Sequence, residues 1–381
     1  MFPSGRCRRR FGPLLALSGQ RQRTARFASE TEAGPPPLQP PSRPQPRAAA
    51  AGLSPHHQKL ALWAGGALVV LIVLVILLVS PHRAPLELVP RGETLAQVVD
   101  VRRFLNCPLY QMLAAASHPL LAALESKEEK LGISLPRDVA TIIDTDESTI
   151  LVGRFRPDRL RDSFEEAIEA REKEINRNRQ APVRLLIQQA EVEGHTYAFC
   201  NQEGVDYAFT AAGSSVVCFG NRWGVRRFLK GRAGVRGRAL DDPAFAAAFS
   251  PALARRAFLY RLEKPGAKIV ASKLKDLLAE AGEGLQAAFF AATIAGTNID
   301  LTIRLAARDT KAAERLEAQL AKATAQVALR KLLGTDAEVR VTRAEAIVVL
   351  ESLTPLDGFE EIIEKDKKGQ GANLVLTLLA S

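Results

Sequence analysis

The chain lacks the residue spacings through which most catalytic sites reveal themselves. It contains no His-Glu-x-x-His run for zinc, no Gly-x-Ser-x-Gly elbow, no Walker loop, no Gly-x-Gly-x-x-Gly after an expected strand and no EF-hand loop. Histidine is scarce. Beyond residue 85 only His118 and His195 remain, which argues against imidazole-based metal or nucleophilic chemistry and leaves carboxylate or thiol chemistry as the enzymatic alternative. Cysteine is scarce too: Cys107, Cys200 and Cys218 are the thiols beyond the long apolar stretch, an odd number, so at least one stays unpaired. Cys200 and Cys218 are expected on strands separated by a third, about 9.6 Å apart at ~4.8 Å per strand, beyond the ~7 Å limit for a bridge. No structural disulfide is expected, and the thiols read as small buried apolar side chains.

The folded part also lacks an excess of charge of either sign. Residues 1–59 hold ten Lys or Arg against Glu30 and Glu32, whereas the remaining 322 residues carry 42 basic and 40 acidic groups. The pI near 9.6 therefore belongs to the tail. A domain built for phosphate backbones keeps its basic excess within the domain, so no nucleic-acid partner is expected.

What the chain does have is a run without a single charge, LALWAGGALVVLIVLVILLV, from Leu60 to Val79. As a helix its twenty residues would rise about 30 Å, the thickness of a bilayer's hydrocarbon core. Fourteen of them are Leu, Ile or Val, and together they favour insertion by about 6 kcal/mol. The basic residues crowd on the N-terminal side, so the positive-inside bias puts the tail in the cytoplasm and the bulk of the chain across the membrane. The tail is too long and the apolar run too extended for a cleaved signal peptide, so an uncleaved signal anchor is expected. A bacterial plasma membrane is the favoured location. Residues 6–29, rich in Arg and Ser or Thr and free of acids, support a mitochondrial presequence and an inner-membrane assembly factor as the alternative. Ala61, Gly65 and Gly66 form a small-residue patch through which the span could self-associate. His56, His57 and His82 bracket the span and cannot meet at one metal.

The expected fold class is α+β, with antiparallel sheets arranged in two similar halves of order β-α-β-β-α-β-β-α. In the second half AFLYRL is a strand, a helix covers Ile269–Ala281, and AAFFAATI and NIDLTIRLA meet at a turn containing Gly296, Thr297 and Asn298. Ile299, Leu301, Ile303 and Leu305 alternate with Asp300, Thr302 and Arg304, so this strand should bury one face and wet the other. Asp309 stands where an N-cap belongs, the helix after it places Leu316, Leu320, Ala323 and Val327 on one side, and Gly334 stops it. In the first half a long helical region from Arg102 to about Leu131 should break at Pro119, strands follow at VATII and TILVGRF, and a helix from Asp158 turns Leu160, Phe164, Ile168 and Ile175 inward. RLLIQQAEV, TYAFCN, DYAFT and SVVCFG are further strands.

The expected organisation is a disordered basic, Pro-rich tail over 1–59, the membrane helix over 60–79, a juxtamembrane linker over 80–95, a first half over 96–229, a basic connector over 230–253 and a second half over 254–381. Arg222, Arg226, Arg227, Lys230, Arg232, Arg236 and Arg238 crowd that connector and the helix before it with no acid among them. They could meet an anionic surface, or simply be a solvated helix end running into a flexible linker. Asp144 and Asp146 lie in a turn that could hold a hard cation, although a polar hairpin turn explains them as well. His195 and Tyr197 fall on one strand face and Cys200 on the other, so they make no common site. No catalytic, cofactor-binding or metal-ligating residue is assigned and no cofactor is expected. The function class that follows is a membrane-anchored extracytoplasmic binding or scaffolding protein, its ligand surface lying between the halves or on exposed sheet faces. The alternative is a membrane-anchored hydrolase, which requires two or more of Asp144, Asp146, Cys107, Cys200 and His195 to converge. A protein or cell-envelope partner beyond the bilayer is open.

Overall fold

A computed structural model describes residues 85–177, 179–265, 284–333, 339–368 and 373–380. The tail 1–59, the apolar stretch 60–79, the helix expected over Ile269–Ala281 and Gly334 lie outside the described residues. In chain order the elements are β1 (Leu95–Asp100), α1 (Val101–Leu105), α2 (Pro108–Ala115), α3 (Pro119–Leu131), α4 (Leu135–Asp138), β2 (Val139–Thr145), β3 (Ser148–Gly153) and α5 (Pro157–Asn176). Then come β4 (Gln188–Val192), β5 (His195–Gln202), β6 (Val205–Ala211), β7 (Val216–Gly220), α6 (Arg222–Arg232), α7 (Pro243–Ala248), α8 (Pro251–Ala254) and β8 (Leu259–Glu263). The chain continues through β9 (Leu285–Ala295), β10 (Asn298–Ala307), α9 (Thr310–Leu320), α10 (Ala323–Leu333), β11 (Arg340–Ala344), β12 (Ile347–Pro355), α11 (Leu356–Lys367) and α12 (Leu374–Ala380). The fold is α+β, with a large antiparallel sheet and several helices.

Twelve strands join that sheet in the order β11-β12-β10-β9-β8-β1-β2-β3-β7-β6-β5-β4. The seam is the antiparallel β1–β8 pair, where Gln97 faces Arg261 and Val98 faces Tyr260. The expected hairpin is present: Gly296, at φ +63°, supplies the left-handed turn residue between β9 and β10. Period-two alternation then sends neighbouring residues to opposite faces. On one face Ala96, Val98, Ile150, Cys218, Tyr260, Leu262 and Phe289 form a core with Val225, Phe228 and Leu229 of α6 and Phe245 and Ala248 of α7. On the other, α5 covers the first-half strands through Leu160, Phe164 and Ile168, while α1, α2, α9, α10 and α11 cover the second-half strands.

Four local expectations change. The helical region after Arg102 breaks at Asn106–Cys107 as well as before Pro119, because Pro108 and Pro119 each open a new helix at a position where a missing N–H costs nothing. The helix capped by Asp309 stops at Leu320 and restarts at Ala323, with the Leu320 carbonyl accepting from Gln326 Nε2 at 3.0 Å. That interruption changes the helical phase: Leu329, Leu332 and Leu333 turn inward and Val327 is left 67% exposed. The second face of β10 is not wet, since Thr302 is buried and Arg304 donates to the Ala248 carbonyl at 2.9 Å. Finally, neither flanking linker is a loose tether over its described part. Leu86, Leu88 and Val89 are buried, Pro90 bridges to Arg238, and residues 239–254 pack Ala239, Phe245 and Ala248 into the core.

Candidate functional site

A groove of about 980 Å³ crosses the centre of this sheet. Its floor comes from consecutive strands in the order β7, β3, β2, β1 and β8, through Val216, Val152, Ala140, Val98 and Tyr260. Pro85 and Leu88 make one wall and Phe249, Pro251 and Ala254 another. The charge at its edge is uneven, with Arg103, Arg232 and Arg255 against Asp100. Arg103 is engaged by Asp100 at 3.3 Å and by the Arg255 carbonyl. The exposed Arg255 guanidinium has no carboxylate within ion-pair distance among the described residues. Burial, and secondarily the Asp100 carboxylate, raise the Tyr260 phenol well above its ordinary value, so it stays neutral on the floor. An apolar trough with a few polar groups at its edge is the usual form of a small-molecule site.

On the opposite face a second cavity of about 290 Å³ lies against α1, α3 and α4, lined by Val99, Phe104, Leu120, Leu131, Ile142 and Leu151, with Gln97, Asp144 and Thr149 as polar members. Beside Gln97 runs a buried charge seam. Arg261 Nε donates to Glu263 Oε2 at 2.8 Å and Nη1 to Gln97 Oε1 at 3.4 Å, while Nη2 has no hydrogen-bond partner. All three residues are buried. Burial pushes Glu263 up to about 7 despite the attraction of Arg261, and burial also lowers Arg261.

A second charge cluster joins α6 to the start of β1 and the β2–β3 turn. Arg227 reaches Glu93 at 3.1 Å and Glu147 at 3.6 Å. Burial raises Glu93 to about 7, with Arg227 opposing and Asp146 and Glu147 adding to the rise. The glycines explain the closeness. Gly224, inside α6, leaves room for the Glu147 carbonyl, which would lie 2.6 Å from a Cβ there, and Gly92, at φ +94°, turns the chain under the Arg227 guanidinium. Asn221 caps α6 by accepting from Gly224 N at 2.7 Å. The basic segment is therefore partly internal: Arg227 is largely buried and Arg222 sits 4.2 Å over the Phe199 ring, whereas Arg238, 3.5 Å from Glu87, stays exposed.

The sequence candidates for chemistry do not meet. Asp144 accepts from Thr149 Oγ1 at 2.6 Å beside the inner cavity, whereas Asp146 accepts from Thr94 Oγ1 at 2.8 Å on the Arg227 side. Among the described residues, no three His, Cys, Asp or Glu side chains group as metal ligands would. The free thiols Cys107, Cys200 and Cys218 lie in three different cores, and burial raises all three, Cys218 to about 12. A thiol so raised is a poor nucleophile at neutral pH. His195 begins β5, one strand from the sheet edge, with Tyr197 and Cys200 packed in different cores as alternation requires. His118 has a structural place: Nδ1 accepts from Leu120 N and Nε2 lies 3.2 Å from Asp366 of α11.

Sequence reasoning did not find the groove or the two charge seams. The groove draws on residues from Pro85 to Tyr260, and no local pattern links them. Arg261 and Glu263 alternate with Tyr260 and Leu262 as a solvated strand face would; only their pairing against Gln97 carried a signal, and that pairing is nonlocal.

Among the described residues, no helix is long and apolar enough to cross a membrane. The chain matches no protein-family model and no curated protein. Among solved structures it is similar to TP0453 in crystal form III, with 12% identity and a TM-score of 0.42, covering 74% of this chain and 98% of that one. Crystal form I of TP0453 gives 13% identity and a TM-score of 0.39, with 74% and 96% covered. Similarity at this level carries no argument.

Proposed function

We propose that this chain is a membrane-anchored extracytoplasmic binding protein, held by the Leu60–Val79 helix and binding its ligand in the groove across the sheet. The observation that carries this reading is the groove itself, about 980 Å³ in volume, near the upper end for small-molecule sites, and floored by apolar side chains of β7, β3, β2, β1 and β8. The arrangement of the halves supports the expectation of two related units: outward from the β1–β8 seam, β2 then β3 follow on one side and β9 then β10 on the other. In each half, the strand paired outside that hairpin, β7 or β12, is the last before a helix, α6 or α11.

Two measurements test the reading. Cys7 lies in the tail and Ser214 is exposed on the folded part, so a membrane-impermeant maleimide applied to intact cells should label S214C and reach Cys7 only after permeabilisation. Labelling in the reverse order, or recovery of the chain in the soluble fraction, overturns the anchor. Native mass spectrometry of the extracted full-length protein should show a bound mass that A140F removes by filling the groove floor. A bound mass unaffected by A140F, or none in the unmodified chain, overturns the groove as the ligand surface.

A further inference from the structure

We infer that the occupant of the groove is an anionic phospholipid taken from the adjoining bilayer, with acyl chain on the strand floor and phosphate at the arginine edge. This rests on the anchored-binding reading above and names its ligand. The floor sets the first requirement. Val98, Val152, Val216 and Tyr260 offer no unpaired charged group, and Phe249 and Ala254 continue the apolar surface up one wall, so the buried part of a ligand must be a hydrocarbon.

The edge sets the second. Arg103 and Arg255 stand there with one carboxylate, and that carboxylate, Asp100, is already committed to Arg103 and to capping α1 through Arg103 N at 3.0 Å. Planar guanidinium forks suit a phosphate better than any neutral head group, and Arg255 has no carboxylate to give up in order to bind one. A ligand neutral at its head would leave the Arg255 charge without a carboxylate partner among the described residues.

The chain's own length supplies the source. Pro85 lines the groove and lies six residues after Val79, where the apolar stretch ends. Six residues span at most about 20 Å even when fully extended, so an anchored domain keeps this wall within about 20 Å of the hydrocarbon boundary. That short separation makes the bilayer the nearest source of a ligand whose chain avoids water.

The full-length chain reconstituted in phosphatidylcholine vesicles, with or without phosphatidylglycerol, gives the test. Phosphatidylglycerol carrying a photoreactive acyl chain should form adducts on the peptides containing Val98, Val152 and Val216, and the matching phosphatidylcholine probe should do so roughly tenfold less. A140F should abolish floor adducts with both probes. R255E should erase the preference for the anionic probe while R255K keeps most of it, with circular dichroism and melting temperature confirming that each variant is folded. Equal labelling by both probes overturns the anionic assignment, and adducts confined to residues 60–79 overturn the lipid proposal even when maleimide labelling supports the anchor. If the chain instead proves soluble but still takes the anionic probe from added vesicles, the lipid assignment stands and the anchor falls.

Discussion

Gln97 and Val98 are neighbours on β1, as are Arg261 and Tyr260 on β8, yet the two faces they supply differ in what they seal. The face bearing Gln97, Arg261 and Glu263 is closed over its charges, while on the other Val98 and Tyr260, themselves almost wholly buried, lie at the bottom of the groove. Burying a charge is costly unless it is paired, and leaving an apolar trough open forgoes favourable burial. At the β1–β8 seam the Arg261–Glu263 pair and the Gln97 contact offset the cost of the buried charges.

The strongest way to break the comparison is on the closed side. R261A leaves Glu263 buried without its partner and should destabilise the protein by about 3–5 kcal/mol in chemical denaturation, whereas R261L/E263L should recover most of that loss. If the single variant costs under about 1 kcal/mol, the seam is not the closed pair described.

A pH titration sharpens it next. In the unfolded chain the Glu93 and Glu263 carboxyls lose their protons near the ordinary 4.5, but folded they keep them to about 7. Between those values the folded state binds more protons, so stability should fall as pH rises from about 4.5 through 7, by a few kcal/mol at most. Melting temperatures measured across that window should show the decline. E93Q should flatten the part due to the Arg227 cluster and leave the part due to the Arg261 seam.

Paired truncations then compare depth with edge on the open face. V98A, at a nearly inaccessible position, should cost about 2 kcal/mol, and V152A, half-buried on the same floor, less than about 1 kcal/mol. Equal costs would mean that the groove is closed in solution. The smallest expected change is that of R255E on folding, within about 0.5 kcal/mol by thermal denaturation, since the side chain is exposed and has no carboxylate partner to lose. A larger loss would show that Arg255 holds the fold together and is not available to a ligand.

Features governed by near neighbours were legible in the chain. The Gly296 hairpin, the Asp309 cap, which accepts from Ala312 N at 2.8 Å, and the meander of β5, β6 and β7 each depend on contacts within a few residues or on strict alternation. Positions whose surroundings come from far away were not. Val327 read as inward because an unbroken helix was assumed, Thr302 and Arg304 read as wet because α7 could not be foreseen above them, and the stretch from Pro85 read as linker although Leu86 and Val89 are buried. The chemistry candidates behaved likewise. Asp144 and Asp146 are two residues apart, but the end of β2 at Thr145 sends them to different partners.

The sequence by itself determined the α+β class and an uncharged apolar run in front of a nearly neutral folded part, because periodicity and composition act residue by residue. Only the tertiary structure decided which polar residues would be sealed inside and which apolar ones would line an open groove. That choice depends on the antiparallel pairing of β1 with β8, more than 160 residues apart, and on which helices come to lie over each face.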